Sequence, residues 1–449
     1  MSGRRFVYVV ACVAAIGGLL FGYDIGIISG ALLFIENDFP LTPFLTGVVV
    51  SSILIGAVIG AGASGALGDR LGRRKLVLIA AVIFAVGSIG MAFSPTVSVL
   101  ILFRIVAGLA VGAASALVPT YISEISPTDL RGTLSSVFQL AITLGILLAY
   151  VVNFALAGAE AWRWMLGLAA VPAVILFVGM YMVPETPRWL IKNNLMDEAR
   201  AVLRRSRGRE DVEQEIKEIQ QVEREESQTE ARELLAPWVR PMLVVGIGLA
   251  MLQQFVGINT IIYYAPTIIN DTGLGASASI LATVGIGVVN VLFTLVAIWL
   301  IDKLGRKKLL LYGLTGMTLG TIILGLGFVL PSLSGVVSYI TLGGMLLYIA
   351  SFAASFGPIV WVMLPEIFPL QIRGSAVGVS SLSNWVANFI VALLFPVLIA
   401  ALGETPVFWS LGLICILSMV FVYFLVPETM GRSLEEIEED LRKGVTVTS

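Results

Sequence analysis

The sequence has no histidine, two cysteines and few charges: Asp, Glu, Lys and Arg make up 13% of its 449 residues, about half the share of an ordinary soluble domain. Without histidine there is no imidazole base and no histidine metal site. Cys12 and Cys415 both fall in apolar runs, which suggests neither a disulfide framework nor a zinc site. A formal net charge of −2 argues against nucleic acid as a partner, since binding a polyanion needs many basic contacts. The chain has no phosphate loop of the G-x-x-x-x-G-K-[ST] type and no clustered acids within its apolar runs. A nucleotide-driven pump or a membrane enzyme would lack its working parts, and no cofactor is implied.

What is present is apolar. Hydrophobic residues make up 57% of the chain, and its mean hydropathy is +0.95. A single soluble core stops growing at roughly 250–300 residues, so this much apolar surface calls for a lipid bilayer. Runs of about 20 apolar residues predict twelve spans, near 6–28, 46–66, 76–94, 98–120, 133–156, 163–183, 241–265, 277–300, 309–330, 335–362, 375–401 and 407–427. The first, preceded by Arg4 and Arg5, has some look of a signal peptide. Asp24 interrupts its end and eleven similar runs follow, so it is read as a retained span. Glycine, at 46 residues, suits closely packed membrane helices. The expected fold class is an all-α membrane protein of twelve transmembrane helices in two six-helix bundles, with short cytoplasmic helices between them.

The charges divide the chain. Of the 58 charged residues, 28 basic and 30 acidic, 24 lie in 184–240. That segment reads as solvated helices with Glu, Lys and Arg at helical spacing. The expected organisation is therefore an N-terminal bundle over 1–183, a cytoplasmic helical linker over 184–240, a C-terminal bundle over 241–427 and a tail over 428–449. With the N-terminus placed in the cytoplasm, every basic residue except Arg104 and Arg163 falls in an inside segment. The outer loops carry Glu36, Asp38, Glu160, Asp271 and Glu404 instead. By the positive-inside rule both termini are cytoplasmic in a multi-pass protein of the cytoplasmic membrane.

The two halves repeat. "GDRLGRRKL" (68–76) is echoed by "IDKLGRKKL" (301–309), "EISPTDLRG" (124–132) by "EIFPLQIRG" (366–374), and "PET" at 184–186 by "PET" at 427–429. The pairs follow spans 2 and 8, 4 and 10, and 6 and 12. A parallel repeat of six spans is the layout of two-bundle secondary transporters, which hold their substrate near the midplane between the bundles. Asp69 with Arg73, and Glu124 with Arg131, offer ion pairs between cytoplasmic helix ends. Asp302 and Arg306, and Glu366 with Arg373, take the same places in the second half. Such pairs could latch the closed cytoplasmic side; the plainer reading is a topology signal with solvated pairs worth about 0–1 kcal/mol each.

Two charges lie well inside spans, Asp24 in span 1 and Arg104 in span 4. A charge at that depth costs several kcal/mol unless paired or hydrated. The two could form a static ion pair. They could also form a proton site, with Asp24 taking a proton when unpaired and releasing it when Arg104 approaches. Gly22 and Gly26 flank Asp24 and would let a neighbouring helix come close. A second constellation is uncharged: Gln139 in span 5, Gln253, Gln254 and Asn259 in span 7, Asn290 in span 8, Trp361 in span 10, and Asn384 with Trp385 in span 11. Amide side chains offer both donor and acceptor to neighbouring hydroxyls, and tryptophan offers an apolar face to a sugar ring. A single glutamine in a span serves equally well as an interhelical hydrogen bond; the cluster is what points to a ligand. On a regular helix Gln253 and Asn259 lie about 120° apart, and would face one ligand better if Gly257 loosened the helix.

The motifs resemble the sugar porter family of the major facilitator superfamily along essentially the whole chain. The resemblance rests on "GGLLFGYDIGIISGAL" (17–32), "GDRLGRRK" (68–75), "RIVAGLAVG" (104–112), "VPTYISEISPTDLRG" (118–132), "PETPRWL" (184–190), "QQFVGINTIIYYAP" (253–266), "GPIVWVMLPEIFPLQIRG" (357–374) and "PETMGRSLEEIE" (427–438). It implies the major facilitator fold, alternating access and a monosaccharide ligand, with no enzymatic activity. By motif position, Gln139, Gln253, Gln254, Asn259, Asn290, Trp361 and Asn384 resemble sugar contacts. Asp24 matches a position that is acidic in proton-coupled relatives, and Arg104 matches its basic partner. The expected function is proton-coupled symport of a hexose or pentose by a monomeric protein. The alternative is an uncoupled uniporter with a structural Asp24–Arg104 pair.

Overall fold

The structure is a computed structural model that describes residues 3–127, 130–226, 236–329, 336–369 and 372–430. All regular structure among the described residues is helical. The first half comprises α1 (Gly3–Asp38), α2 (Pro43–Leu71), α3 (Arg73–Ala92), α4 (Val97–Ile125), α5 (Arg131–Ala157), α6 (Trp162–Gly167) and α7 (Ala170–Met182). Three short helices follow: α8 (Pro187–Lys192), α9 (Met196–Arg207) and α10 (Glu213–Glu226). The second half comprises α11 (Arg240–Phe255), α12 (Ile258–Ile269), α13 (Ala276–Leu304), α14 (Arg306–Val329), α15 (Val337–Ala353), α16 (Phe356–Ile367), α17 (Arg373–Leu402) and α18 (Glu404–Leu425). Twelve segments of this set are long and apolar enough to cross a membrane. They fall on the twelve predicted spans.

Several helices outrun the apolar runs that predicted them. The end of α1 stays helical to Asp38 because its polar last turn is tied down. The Thr46 hydroxyl donates to Glu36 Oε1 at 3.1 Å, and Trp162 Nε1 donates to Asp38 Oδ2 at 2.8 Å. Three spans are broken. Span 6 breaks between α6 and α7, span 7 at Gly257 (φ 94°) and span 10 at Ser355 (φ −138°, ψ −91°). Gly257 adopts a left-handed backbone that side chains disfavour, so the loosening expected there takes the form of a helix break.

The chain divides into two compact units. One contains Met1–Asp24, Ser52–Ile146 and Arg163–Thr229. In it, bare glycines bring helices into backbone contact. A methyl group on Gly22 would collide with the Ile142 carbonyl of α5, and one on Gly108 would collide with the Ile53 carbonyl of α2. The short helices α9 and α10 are clasped by Arg207–Glu215 and Arg200–Glu213, each at 2.7 Å. The Arg207 guanidinium holds the Glu215 carboxyl below the usual range in spite of its partial burial. The other unit contains Ile25–Ser51, Leu147–Trp162 and Glu230–Ser449. It takes in the ends of α1, α2 and α5 nearest the odd-numbered loops, together with the helices of the second half. Within it the α2 backbone at Gly47 lies against the Leu393 carbonyl of α17, and Gly287 of α13 meets Leu147 and Tyr150 of α5.

Gly108→Leu should push α2 from α4 and cost about 1–3 kcal/mol through overpacking. The expected result is a lower thermal unfolding midpoint of the detergent-solubilised protein, with Gly62→Leu, which meets open space, as the neutral comparison.

Candidate functional site

Asp24 sits two-thirds of the way along α1 and Arg104 in the first third of α4. Both are buried, with Asp24 at 3% exposure and Arg104 at 0%. Arg104 lies close enough for its charge to act on Asp24. Access from α5 to this part of α1 is set by glycine at both partners, since side chains on Gly22 or Gly145 would strike the facing backbone. Next to Asp24, Tyr23 donates from its hydroxyl to the Met165 carbonyl at 3.2 Å. That carbonyl lies where span 6 breaks, and its ordinary helical donor, the Ala169 N–H, turns to Leu166 instead. An acid and a base are thus both buried in one compact unit, near enough for their charges to interact.

The amide cluster is assembled in the second half. Asn384 of α17 donates to the Ala250 carbonyl at 2.7 Å and to Gln253 Oε1 at 2.8 Å. Gln254 Nε2 donates to Asn384 Oδ1 at 3.1 Å, and Asn259 Nδ2 to Gln254 Oε1 at 2.9 Å. Gln253 Nε2 reaches across to the Phe356 carbonyl at 2.8 Å and the Gly357 carbonyl at 3.2 Å, just past the break in span 10. The break at Gly257 is what lets Asn259 of α12 turn back onto Gln254 of α11. Asn290 of α13 is buried, and Asn388, one helical turn beyond Asn384, is buried too. Trp361 of α16 is 40% exposed, whereas Trp385 is buried. Gln139 lies half-buried on α5 in the other compact unit. Neutral donors and acceptors joined in one chain can exchange partners with the hydroxyls of a polyol, and they present an anion with no positive charge.

The charged motifs form two matching clusters, one in each half. In the first, Arg73 Nη2 meets Asp69 Oδ1 at 2.8 Å and Glu124 Oε1 at 3.3 Å, while Nη1 donates to the Gly68 carbonyl at 3.0 Å. Asp69 Oδ2 also pairs with Lys192 Nζ of α8 at 3.0 Å. In the second, Arg306 Nη2 meets Glu366 Oε1 at 3.3 Å and Nη1 donates to the Ile301 carbonyl at 3.1 Å. Glu366 is therefore joined to Arg306, not to Arg373, whose Nε donates to the Phe368 carbonyl at 3.1 Å. Glu124 likewise takes Arg73. The side chains of Arg131 and Asp302 lie outside the described residues.

The sequence reading gave no role to the glutamates of the two PET repeats, which complete these clusters. Glu185 accepts the Arg74 N–H on both oxygens, at 3.1 and 3.0 Å, and so caps the start of α3. Glu428 accepts the Arg306 N–H at 2.9 Å and the Lys307 N–H at 3.1 Å at the start of α14. A carboxylate here fills the unsatisfied N–H groups of a helix start and meets its positive end. Gly72 and Gly305, with φ of 99° and 86°, leave room for these two carboxylates. Burial pushes the Glu185 carboxyl up, against the pull of the Thr186 and Arg74 N–H groups. Thr429 Oγ1 donates to Glu366 Oε2 at 2.6 Å, closing the second cluster. The in-register recurrence of PET was the available signal; what it caps was not.

Twelve spans, an internal repeat of six and matching ion clusters in the two halves define a membrane transporter of the major facilitator fold. The chain belongs to the sugar (and other) transporter family, whose model matches residues 10–441, and is thus a carrier and not an enzyme. It is 47% identical to the glucose transporter GlcP of Staphylococcus epidermidis over 97% of each chain. It is 48% identical to the D-xylose transporter of Levilactobacillus brevis over 95% of this chain and 94% of that one. Among solved structures, the partially occluded inward-open xylose transporter XylE of E. coli matches with a TM-score of 0.85 at 33% identity, over 96% of this chain and 100% of that one. The proton:xylose symporter XylE bound to 6-bromo-6-deoxy-D-glucose matches with a TM-score of 0.81 at 34% identity, over 97% and 99%.

Glu185→Ala and Glu428→Ala should each cost about 1 kcal/mol through loss of a helix cap. Glu185→Gln, which keeps an acceptor and sheds a charge that burial already disfavours, should cost less. Thermal unfolding of the three variants beside the parent checks the order.

Proposed function

We propose that this protein carries a monosaccharide, a hexose or pentose, across the cytoplasmic membrane together with a proton. The observation that carries the reading is the buried Asp24–Arg104 pair within the first half. In a sugar transporter an intramembrane acid with an arginine beside it has a natural use as a proton site. Asp24 takes the proton when its surroundings leave it desolvated and releases it when Arg104 comes close. The amide cluster of Gln253, Gln254, Asn259 and Asn384, with Gln139, Asn290 and Trp361, binds the sugar. A relative described as a proton:xylose symporter and relatives described as glucose and xylose transporters support this substrate class.

In this reading 1–183 and 241–427 are the two moving halves, and 184–240 is the linker between them. The loops rich in Lys and Arg face the cytoplasm, as do both termini. The clusters at Asp69, Arg73 and Glu124 and at Arg306 and Glu366 brace the cytoplasmic helix ends, with Arg131, Asp302 and Arg373 beside them in the sequence motifs. Protonation, sugar binding and the exchange of access from one side to the other are then linked equilibria, and each ligand favours the state it binds better.

The deciding measurement is sugar uptake into proteoliposomes with and without an inward proton gradient, using D-glucose and D-xylose. The parent should accumulate one of them against its gradient only when the proton gradient is present. Asp24→Asn should lose accumulation and keep sugar exchange. Uptake by the parent that ignores the proton gradient would leave the uncoupled uniporter in its place. Asn384→Ala and Gln254→Ala should each weaken sugar binding by about tenfold, the scale of an unmade hydrogen bond in a buried site, as read from the concentration dependence of exchange.

A further inference from the structure

Two of the three prolines inside second-half helices leave a carbonyl whose missing helical donor a tyrosine replaces. Pro266 of α12 has no N–H for the Ile262 carbonyl four residues back, and Pro396 of α17 has none for the Ala392 carbonyl. A buried carbonyl in an apolar region must find another donor. In both cases a tyrosine supplies it. Tyr150 of α5 donates its hydroxyl to Ile262 O at 3.2 Å, and Tyr264 of α12 donates to Ala392 O at 3.2 Å. Tyr150 and Ile262 are buried, at 0% and 4% exposure. The two bonds differ in what they join. Tyr264 and Ala392 belong to the same half of the repeat. Tyr150 belongs to span 5 of the first half and Ile262 to span 7 of the second.

We infer that the Tyr150 hydroxyl, seated on the carbonyl that Pro266 frees, is the latch that closes the end of the transporter nearest its odd-numbered loops. The inference rests on the alternating-access reading above, in which the halves part at one end at a time. At this end α5 and α13 are also in contact, through Tyr150, Leu147 and Gly287, and α2 meets α17 at Gly47. Those contacts are van der Waals meetings that water can replace without leaving a polar group unmet. The Tyr150 bond is directional. Parting the halves by more than the length of a hydrogen bond breaks this bond and leaves the phenol and the Ile262 carbonyl to entering water, since no turn of its own helix can satisfy that carbonyl. Closing the end restores both at once. Pro266 therefore makes the closed state worth more than packing alone, because an ordinary residue there would satisfy Ile262 O in either state.

Hydrogen–deuterium exchange of the full-length protein in lipid nanodiscs tests this. Tyr150→Phe keeps the ring and removes the donor, and Pro266→Ala restores a helical N–H to Ile262 O. Tyr150→Phe should raise exchange in segments 147–157 and 258–269 by about tenfold, the scale of one buried acceptor left unmet. In the Pro266→Ala background the same change should raise exchange by less than about twofold, because the two residues act through one carbonyl. Unchanged exchange in Tyr150→Phe overturns the latch, as does a tenfold rise that persists in the Pro266→Ala background. Segment 97–125 should match the parent throughout, and a rise there of the same size would overturn the latch in favour of general loosening. Exchange of D-glucose and D-xylose by the parent, measured in parallel, keeps the two readings apart. A parent that moves neither sugar defeats the transport reading, while the deuterium comparison still decides whether Tyr150 holds this end closed.

Discussion

In a bilayer, backbone N–H and C=O groups have no water to fall back on, and at several irregularities in these spans a side chain makes up the loss. Span 6 breaks, and Tyr23 takes the Met165 carbonyl. Span 7 breaks at Gly257, and Tyr348 takes the Val256 carbonyl at 2.8 Å. Just past the break in span 10, Gln253 ties α11 to the Phe356 and Gly357 carbonyls of α16. The polar residues of the spans are thus placed first by the accounting of the backbone. The candidate sugar site has grown where that accounting is most demanding, at the two broken helices of the second half.

The same accounting holds at the basic helix ends, with the signs reversed. There the unsatisfied groups are N–H donors at the starts of α3 and α14, and the answer is a glutamate brought in from the end of span 6 or span 12. Arginine then bridges to the glutamate at the end of span 4 or span 10. All members of each cluster come from one half of the repeat. Each half consequently has its own brace at this end, built to one plan from residues far apart in its sequence.

Much of this was legible without coordinates, because hydropathy and charge are properties of short runs. The twelve spans, the repeat and the burial of Asp24 and Arg104 could all be read in order along the chain. The expected weakness at Gly257 was legible too, since glycine between two polar turns has few other uses. The choice of partners was not. Glu366 takes Arg306 and leaves Arg373 to the Phe368 carbonyl, a decision made by how three helix ends meet. Nor does periodicity announce that Glu185 would cap a helix more than a hundred residues earlier, that span 10 breaks at Ser355, or that Asn388 is buried beside Asn384. The tyrosine seats were half legible: Pro266 and Pro396 mark the carbonyls that need a donor, and only the packing says which phenol arrives.

The depth of Asp24 and Arg104 also bears on how the chain is made. Synthesis runs from the N-terminus, so the first span meets the membrane with its carboxyl before Arg104 has been translated to meet it. A single acid or arginine at the centre of a span costs about 2.5–3.5 kcal/mol on insertion scales, which the apolar residues around each can outweigh one span at a time. Neither span needs its partner in order to enter. Once α4 has entered, however, the two charges are the strongest reason for α1 and α4 to find each other among helices otherwise coated in similar apolar side chains. The pair proposed above for proton movement would thus also serve, during biogenesis, to bring the first helix to the fourth.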